Sequence, residues 1–145
     1  MGPGGLTIVR PAPLLDLADM LARDDIPLGL RKFGLGPLKL AQLQRQLGQS
    51  WGYEIGGRIL VCCGLIPVPA QDCLEAWFAC RPEAAPHMLA VARAAQLTLL
   101  AGADDALVVA RVAVGWRPGE RLARAVGLTP GAAAGGEREW WWRKT

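Results

Sequence analysis

The sequence has a single histidine, His87, and a single tyrosine, Tyr53, among 145 residues. Its four cysteines, Cys62, Cys63, Cys73 and Cys80, include no C-x-x-C pair. Zinc sites need ligands at tight, repeated spacing, so this set excludes a metal centre. Cys62 and Cys63 are neighbours and point to opposite faces of a strand; they read as small, reduced core residues. A basic block is also lacking, since the net charge of +3 is dispersed along the chain. Nucleic-acid surfaces cluster Lys and Arg among aromatics, so nucleic acid is excluded as a partner. The longest apolar run, Ile59–Ala70, is broken by Gly64, Pro67 and Pro69. It is shorter than the roughly 20 residues that a helix needs to span a bilayer, which excludes the membrane. Met1-Gly2-Pro3-Gly4-Gly5 carries neither the charged nor the apolar part of a signal peptide. A soluble protein of the cell interior is the expectation.

What is present is core material. The chain is 52% hydrophobic and 20% charged, a balance that supports one folded domain over residues 1–145. Leu6–Pro11 predicts a short strand. Pro13 opens a helix with Leu14, Leu17, Ala18 and Leu21 at helical spacing, and Pro27 and Gly29 end that element. A glycine-punctuated loop, Arg31–Gly36, follows. Pro37 suits the first position of a second helix, whose stripe is Leu40, Leu43 and Leu47 and whose stop is Gly48. Trp51, Tyr53 and Ile55 alternate as in a strand, Gly56-Gly57 marks a hairpin, and Arg58–Val68 returns as a strand buried on both faces. Cys73–Cys80 is the next strand. A proline-bracketed turn leads to a helix over His87–Ala101, stopped by Gly102. Then come a strand over Ala106–Val114, a short helix over Gly119–Val126, a flexible Gly131–Gly136 loop and a last strand, Glu137–Lys144. This order predicts an α/β fold in which helices cover both faces of one sheet.

That order resembles the GNAT N-acyltransferase superfamily over nearly the whole chain. The closest local match runs from Val112 to Leu128: a strand end, Trp116-Arg117-Pro118-Gly119, a short helix, then Gly127-Leu128 before the final strand. Leu128 stands where the family usually has Phe. Glu75-Ala76-Trp77-Phe78-Ala79, followed by the proline turn, His87 and an Arg/Ala-rich helix, is similar to a narrower group, the small GNAT-like proteins of bacteriophages and prophages. Some of those are virion components. The resemblance implies a mixed sheet that splays between the Cys73–Cys80 and Ala106–Val114 strands. It implies acetyl-CoA or another acyl-CoA as acyl donor and an amine as acceptor, in the cytoplasm or a phage particle. A parted strand edge has backbone groups that an amide-bearing pantetheine arm can satisfy, and a helix start suits the pyrophosphate. Carried onto this sequence, the acyl-CoA contacts are Phe78, Ala79, Cys80, Arg81, His87, Met88 and Trp116.

The chain departs from the family at two places. Members carry Gln/Arg-x-x-Gly-x-Gly/Ala at the helix start. Here Arg81 fits the first position, but Ala84 and Pro86 replace the glycines, and Pro82 and Pro86 remove two N–H donors. Glu83 adds negative charge there. Many members also use a tyrosine of the last helix as general acid, and that position is Ala123. Glu75 reads either as the general base that takes the amine proton or as a strand residue orienting Trp77. Glu54 has the same two readings. Cys80 is a nucleophile or a core residue. His87 touches phosphate or simply begins a helix, and Arg81 and Arg117 pair with phosphates or with solvent. Trp116 lines the cleft or packs at its rim. Trp140 and Trp142 share one strand face and Trp141 takes the other, which suits an oligomer interface or docking by phage structural proteins. Two functions follow: a phage-type N-acyltransferase, or a GNAT-like structural or interaction protein without catalysis.

Overall fold

The computed structural model describes residues 5–23 and 36–143. Its elements are β1 (Thr7–Val9), α1 (Leu14–Leu21), α2 (Pro37–Leu47), β2 (Gln49–Ile55), β3 (Arg58–Val68), β4 (Cys73–Cys80), α3 (Met88–Ala95), β5 (Leu107–Ala113), α4 (Arg117–Val126), β6 (Thr129–Ala134) and β7 (Glu137–Trp142). The strands form one seven-stranded mixed sheet in the order β1-β2-β3-β4-β5-β7-β6. Every neighbouring pair is antiparallel except β4 and β5.

Strand alternation divides the core in two. On one face, Leu17, Met20 and Leu21 of α1 and Leu40 and Ala41 of α2 pack on Ile59, Cys62, Trp77 and Ala79. On the other, Val91, Ala92 and Ala95 of α3 and Val126 of α4 pack on Leu60, Val61, Cys63, Leu65 and Val108. Leu60 and Val61 are consecutive yet face the same core. The register explains this: Tyr53 pairs with Val61 and Glu54 with Ile59, so Leu60 is the extra residue of a β-bulge. The apolar run of β3 is thus buried on both faces, as its composition predicts.

A polar chain crosses the second core. The Cys63 thiol donates to the Tyr53 hydroxyl at 3.2 Å, Tyr53 and Thr98 hydroxyls lie 2.5 Å apart, and Thr98 donates to the Ala94 carbonyl at 2.9 Å. Thr98 falls in a π-helical turn, Gln96–Leu100, that continues α3 before a last helical turn, Ala101–Ala103. This chain gives buried Tyr53 and Thr98 partners and ties β2 and β3 to the helix above them.

Several expected boundaries move. The stretch before α3 is a 3-10 helix, Pro82–His87, because Pro82 and Pro86 lack the N–H that α-helical bonding needs. α1 ends at Leu21, and the expected stop at Pro27 and Gly29, like most of the Arg31–Gly36 loop, lies outside the described residues, as does the end of the last strand at Lys144. The Gly56-Gly57 turn is as expected, with both residues at positive φ. Gly131–Gly136 is not a flexible loop. Thr129–Ala134 is strand β6, paired with β7, and Gly135-Gly136, both at positive φ, make the hairpin turn. The segment has low strand propensity, so its sequence hides it. Pairing with the tryptophan strand overrides propensity, and Gly131 leaves the room that the Trp141 indole occupies.

Gly48 joins α2 to β2 where the chain crosses β3 at close range. A Cβ there would lie 1.9 Å from the Leu65 carbonyl oxygen, whereas one on Gly36, at the start of α2, would meet nothing. Gly48→Ala is expected to destabilise by roughly 2 kcal/mol or more, in the range of overpacking, while Gly36→Ala loses only the N-cap preference of glycine and is expected to lower the urea midpoint much less. Equal midpoints for the two variants would contradict this packing.

Candidate active site

β4 and β5 run side by side from Cys73↔Leu107 to Ala76↔Ala110 and pair no further. β4 continues to Cys80 and β5 to Ala113, each with a partner on its outer side. β4 stays in register with β3 up to Val61↔Cys80, and β5 with β7 up to Ala113↔Glu137. The Arg81 N–H reaches the Leu60 carbonyl across β3 at 2.9 Å. Amides alternate in direction along a strand, so the amide groups of Phe78 point the other way, into the gap.

A cavity of about 420 Å³ passes through this gap. On one face of the sheet its wall is Phe78, Cys80, Met88, Leu99, Leu122 and Ala123; on the other it is Leu40, Leu43, Gln44, Ile66, Trp77 and Glu75. Two glycines shape it. Trp77 lies over Gly64, its register partner on β3, where a Cβ would come within 2.6 Å of the indole nitrogen. Trp116 lies over Gly119, where a Cβ would come within 2.3 Å of the ring. A side chain at either glycine would push an indole out of place.

The wall carries one ion pair. Glu75 accepts from Arg111 Nη1 at 2.8 Å, with both side chains half-buried. Arg111 also reaches Gln71 Oε1 at 3.5 Å. Glu75 is therefore held in one orientation at the edge where the strands part. Arg111 is visible in the sequence as a lone charge inside the apolar strand Leu107–Ala113, and Gln44 as a polar residue set within the Leu40–Leu43–Leu47 stripe.

Of the candidate residues, Glu75, Phe78, Cys80, Met88 and Trp116 share the cavity wall. Ala79, Arg81 and His87 do not line it. Ala79 faces the opposite core, under α1 and α2. His87 ends the 3-10 helix, half-buried. Arg81 is turned toward α1: Nη2 bonds Asp16 at 2.8 Å, Nη1 bonds Asp19, and Nε donates to the Ile59 carbonyl at 3.0 Å. These bonds engage its guanidinium within the protein. The 3-10 turn after it has few amides for a phosphate, since Pro82 and Pro86 have none and Ala84 N–H bonds the Arg81 carbonyl at 3.0 Å. Arg117, Arg121 and Arg124 form an exposed basic row along α4.

Ala123 lines the cavity where a general-acid tyrosine would stand. Tyr53 is no substitute, because it is fully buried beneath α3 and bonded to Thr98 and Cys63. Burial pushes the thiols of Cys62 and Cys63 up to about 12, which makes both inert as nucleophiles at neutral pH. Among the described residues no group of three or more His, Cys, Asp or Glu side chains is placed to hold a metal. No helix among them is long and apolar enough to cross a membrane.

No family model matches the chain, and no curated protein matches it in sequence. Solved structures match it in shape. The GNAT-family acetyltransferase of Bacillus anthracis superposes with a TM-score of 0.73 at 12% identity, covering 99% of this chain and 97% of that one. An N-acetyltransferase of Staphylococcus aureus gives 0.70 at 15% identity, covering 95% and 98%. The Campylobacter jejuni N-acetyltransferase PseH, solved with acetyl coenzyme A, gives 0.67 at 7% identity, covering 97% and 99%. The chain thus has the fold of the GNAT acetyltransferases.

Two measurements test this geometry. The Arg81 hydrogen bond and charge hold the Asp19 carboxyl below its ordinary value of 3.8. Because the folded value is depressed, the pair's stabilisation is present above pH 3.8 and is lost as pH falls through the lowered folded value. Asp19→Asn is expected to lower Tm at pH 6, with the difference from the unaltered protein closing below pH 3.8; a pH-independent difference would reject the pair. In addition, a disulfide reagent at pH 8 is expected to leave Cys62 and Cys63 unlabelled until the protein is denatured. Rapid labelling of either in the native state would contradict their burial.

Proposed function

We propose that this protein is an acyl-CoA-dependent N-acyltransferase whose reaction takes place where β4 and β5 part. The single observation that carries the reading is the end of strand pairing at Ala76↔Ala110, opening a cavity through the sheet beside the ion-paired Glu75. Acyl-CoA would supply the activated acyl group. The amide edge at Phe78 would hold the pantetheine arm much as a neighbouring strand would. Met88, Trp116 and Leu122 would close the arm off from water. The phosphates would rest near the first turn of α3 at Met88 and the basic row Arg117, Arg121 and Arg124 of α4. Arg81, in its present pairing, would not take part.

The amine would enter from the α2 side, so that the two substrates meet inside the gap and the gain is chiefly positioning. Glu75 would accept the proton that the amine loses on acylation, directly or through one water. Arg111 keeps that carboxylate facing the gap. With Ala123 in place of a hydroxyl, the departing thiolate would take its proton from solvent.

A second reading has its own support. The proline-bearing turn at Pro82–His87, the pairing of Arg81 with α1 and the alanine at position 123 each remove something that a GNAT enzyme uses. In that reading the fold is kept as an interaction module, such as a component of a phage particle. The phage-type assignment in either reading rests on Glu75-Ala76-Trp77 and the helix end at Gly127.

Acetyl-CoA decides between the two readings. A ligand at 100 times its Kd stabilises the native state by about 2.7 kcal/mol, so a clear rise in Tm is expected at millimolar acetyl-CoA. Glu75→Gln is expected to keep that rise and to lower kcat by about 10²-fold or more. Absence of any shift at millimolar ligand would leave the interaction module standing alone.

A further inference from the structure

We infer that the acceptor is a small monoamine with an apolar body, and that the buried carboxamide of Gln44 recognises its nitrogen. The inference rests on the acyltransferase reading above and adds the class of substrate. On the α2 side the cavity wall is Leu40, Leu43, Leu47, Ile66 and Trp77. Two uncharged polar groups interrupt it, the carboxamide of Gln44 and the indole N–H of Trp77, whose Nε1 is likewise without a hydrogen-bond partner. Gln44 is 4% exposed, lines the cavity, and its Oε1 has no hydrogen-bond partner.

Apolar packing of α2 does not call for that combination. Leu40 lies one turn before position 44 and Leu47 one turn after it on the same helical face, so a leucine at position 44 would complete the apolar stripe. A buried carbonyl without a donor instead costs about 1–3 kcal/mol. An N–H from a ligand in the cavity would remove that cost. An oxygen acceptor selects a donor, and an amine nitrogen is the donor that the transfer reaction requires.

The charges on the wall define what the rest of the acceptor must be. Glu75 is neutralised by Arg111 at 2.8 Å, and Glu137 is the other carboxylate of the wall. A polycation needs a row of unneutralised carboxylates, which the described residues of this wall do not provide. A substrate carboxylate would need a cation, and Arg111 already serves Glu75. The acceptor that fits therefore has one nitrogen for Gln44 and Glu75, and an aliphatic or aromatic body for the leucines, Ile66 and Trp77.

The test uses the full chain, with acetyl-CoA as donor and 2-phenylethylamine, isoamylamine and spermidine as acceptors, read by release of free CoA thiol. The two monoamines are expected to exceed spermidine in kcat/KM by about tenfold or more. Gln44→Leu is expected to raise KM for the monoamines by about tenfold, the effect of one lost hydrogen bond. It should leave the acetyl-CoA-induced rise in Tm unchanged and its own Tm equal or higher. That last result separates recognition from a structural role, which would lower Tm. Preference for spermidine, unchanged KM in Gln44→Leu, or acetyl-CoA binding without acetylation of either monoamine would overturn the inference and leave the donor site standing. Failure of acetyl-CoA to shift Tm, together with no CoA release from any amine, would overturn the acyltransferase reading and this inference with it.

Discussion

The organisation of this protein depends on β4 and β5 ceasing to pair after Ala76 and Ala110. Two strands that have begun a parallel ladder gain by continuing it, so something must draw them apart. Each is held on its outer side. β4 keeps its full antiparallel register with β3, and just past its end Arg81 is fastened to Ile59, Asp16 and Asp19. β5 keeps its register with β7 to the end of both strands. Sheet twist then separates the two held halves. Seen this way, Arg81 is part of the device that keeps the gap open, although it does not line it.

The two ends of the cavity differ in character. At the centre lie the backbone where the strands part, an apolar wall and one ion pair. At the expected phosphate end the polypeptide has prolines where approach of the backbone would need glycine, and side-chain charge on α4 is the alternative source of attraction. Attraction through exposed arginines is screened by salt, whereas backbone amides at a helix start are fixed in place. Such a site would hold a donor mostly through its arm and less through its phosphates.

The element order was legible because strand and helix periodicities survive in the sequence, whereas the parting of two strands was implied by the GNAT resemblance. Trp51-Gly52-Tyr53, the Gly56-Gly57 turn and the apolar run of β5 each speak for themselves. Glu75, Phe78, Cys80, Met88 and Trp116 line the cavity. What was hidden is partner choice. Arg81 occupies the motif position of a phosphate ligand, and only the approach of α1 shows where its guanidinium goes. β6 was hidden for another reason: Thr129–Ala134 has no strand signal of its own, and its conformation comes from its neighbour. Gln44 and Arg111 were visible as polar residues in apolar stripes, but their significance depends on the cavity that they face.

The placement of β7 between β5 and β6 carries a consequence for how the chain assembles. β6 leaves the ribosome before β7, so for a time it could occupy the edge of β5 that belongs to β7. Its Pro, Gly and Ala content makes it a poor strand alone, and it becomes one only when the Gly135-Gly136 turn folds it onto the tryptophan strand. A weak strand sequence suffices at this point because β6 pairs with β7 alone, and the edge of β5 is taken by the tryptophan strand.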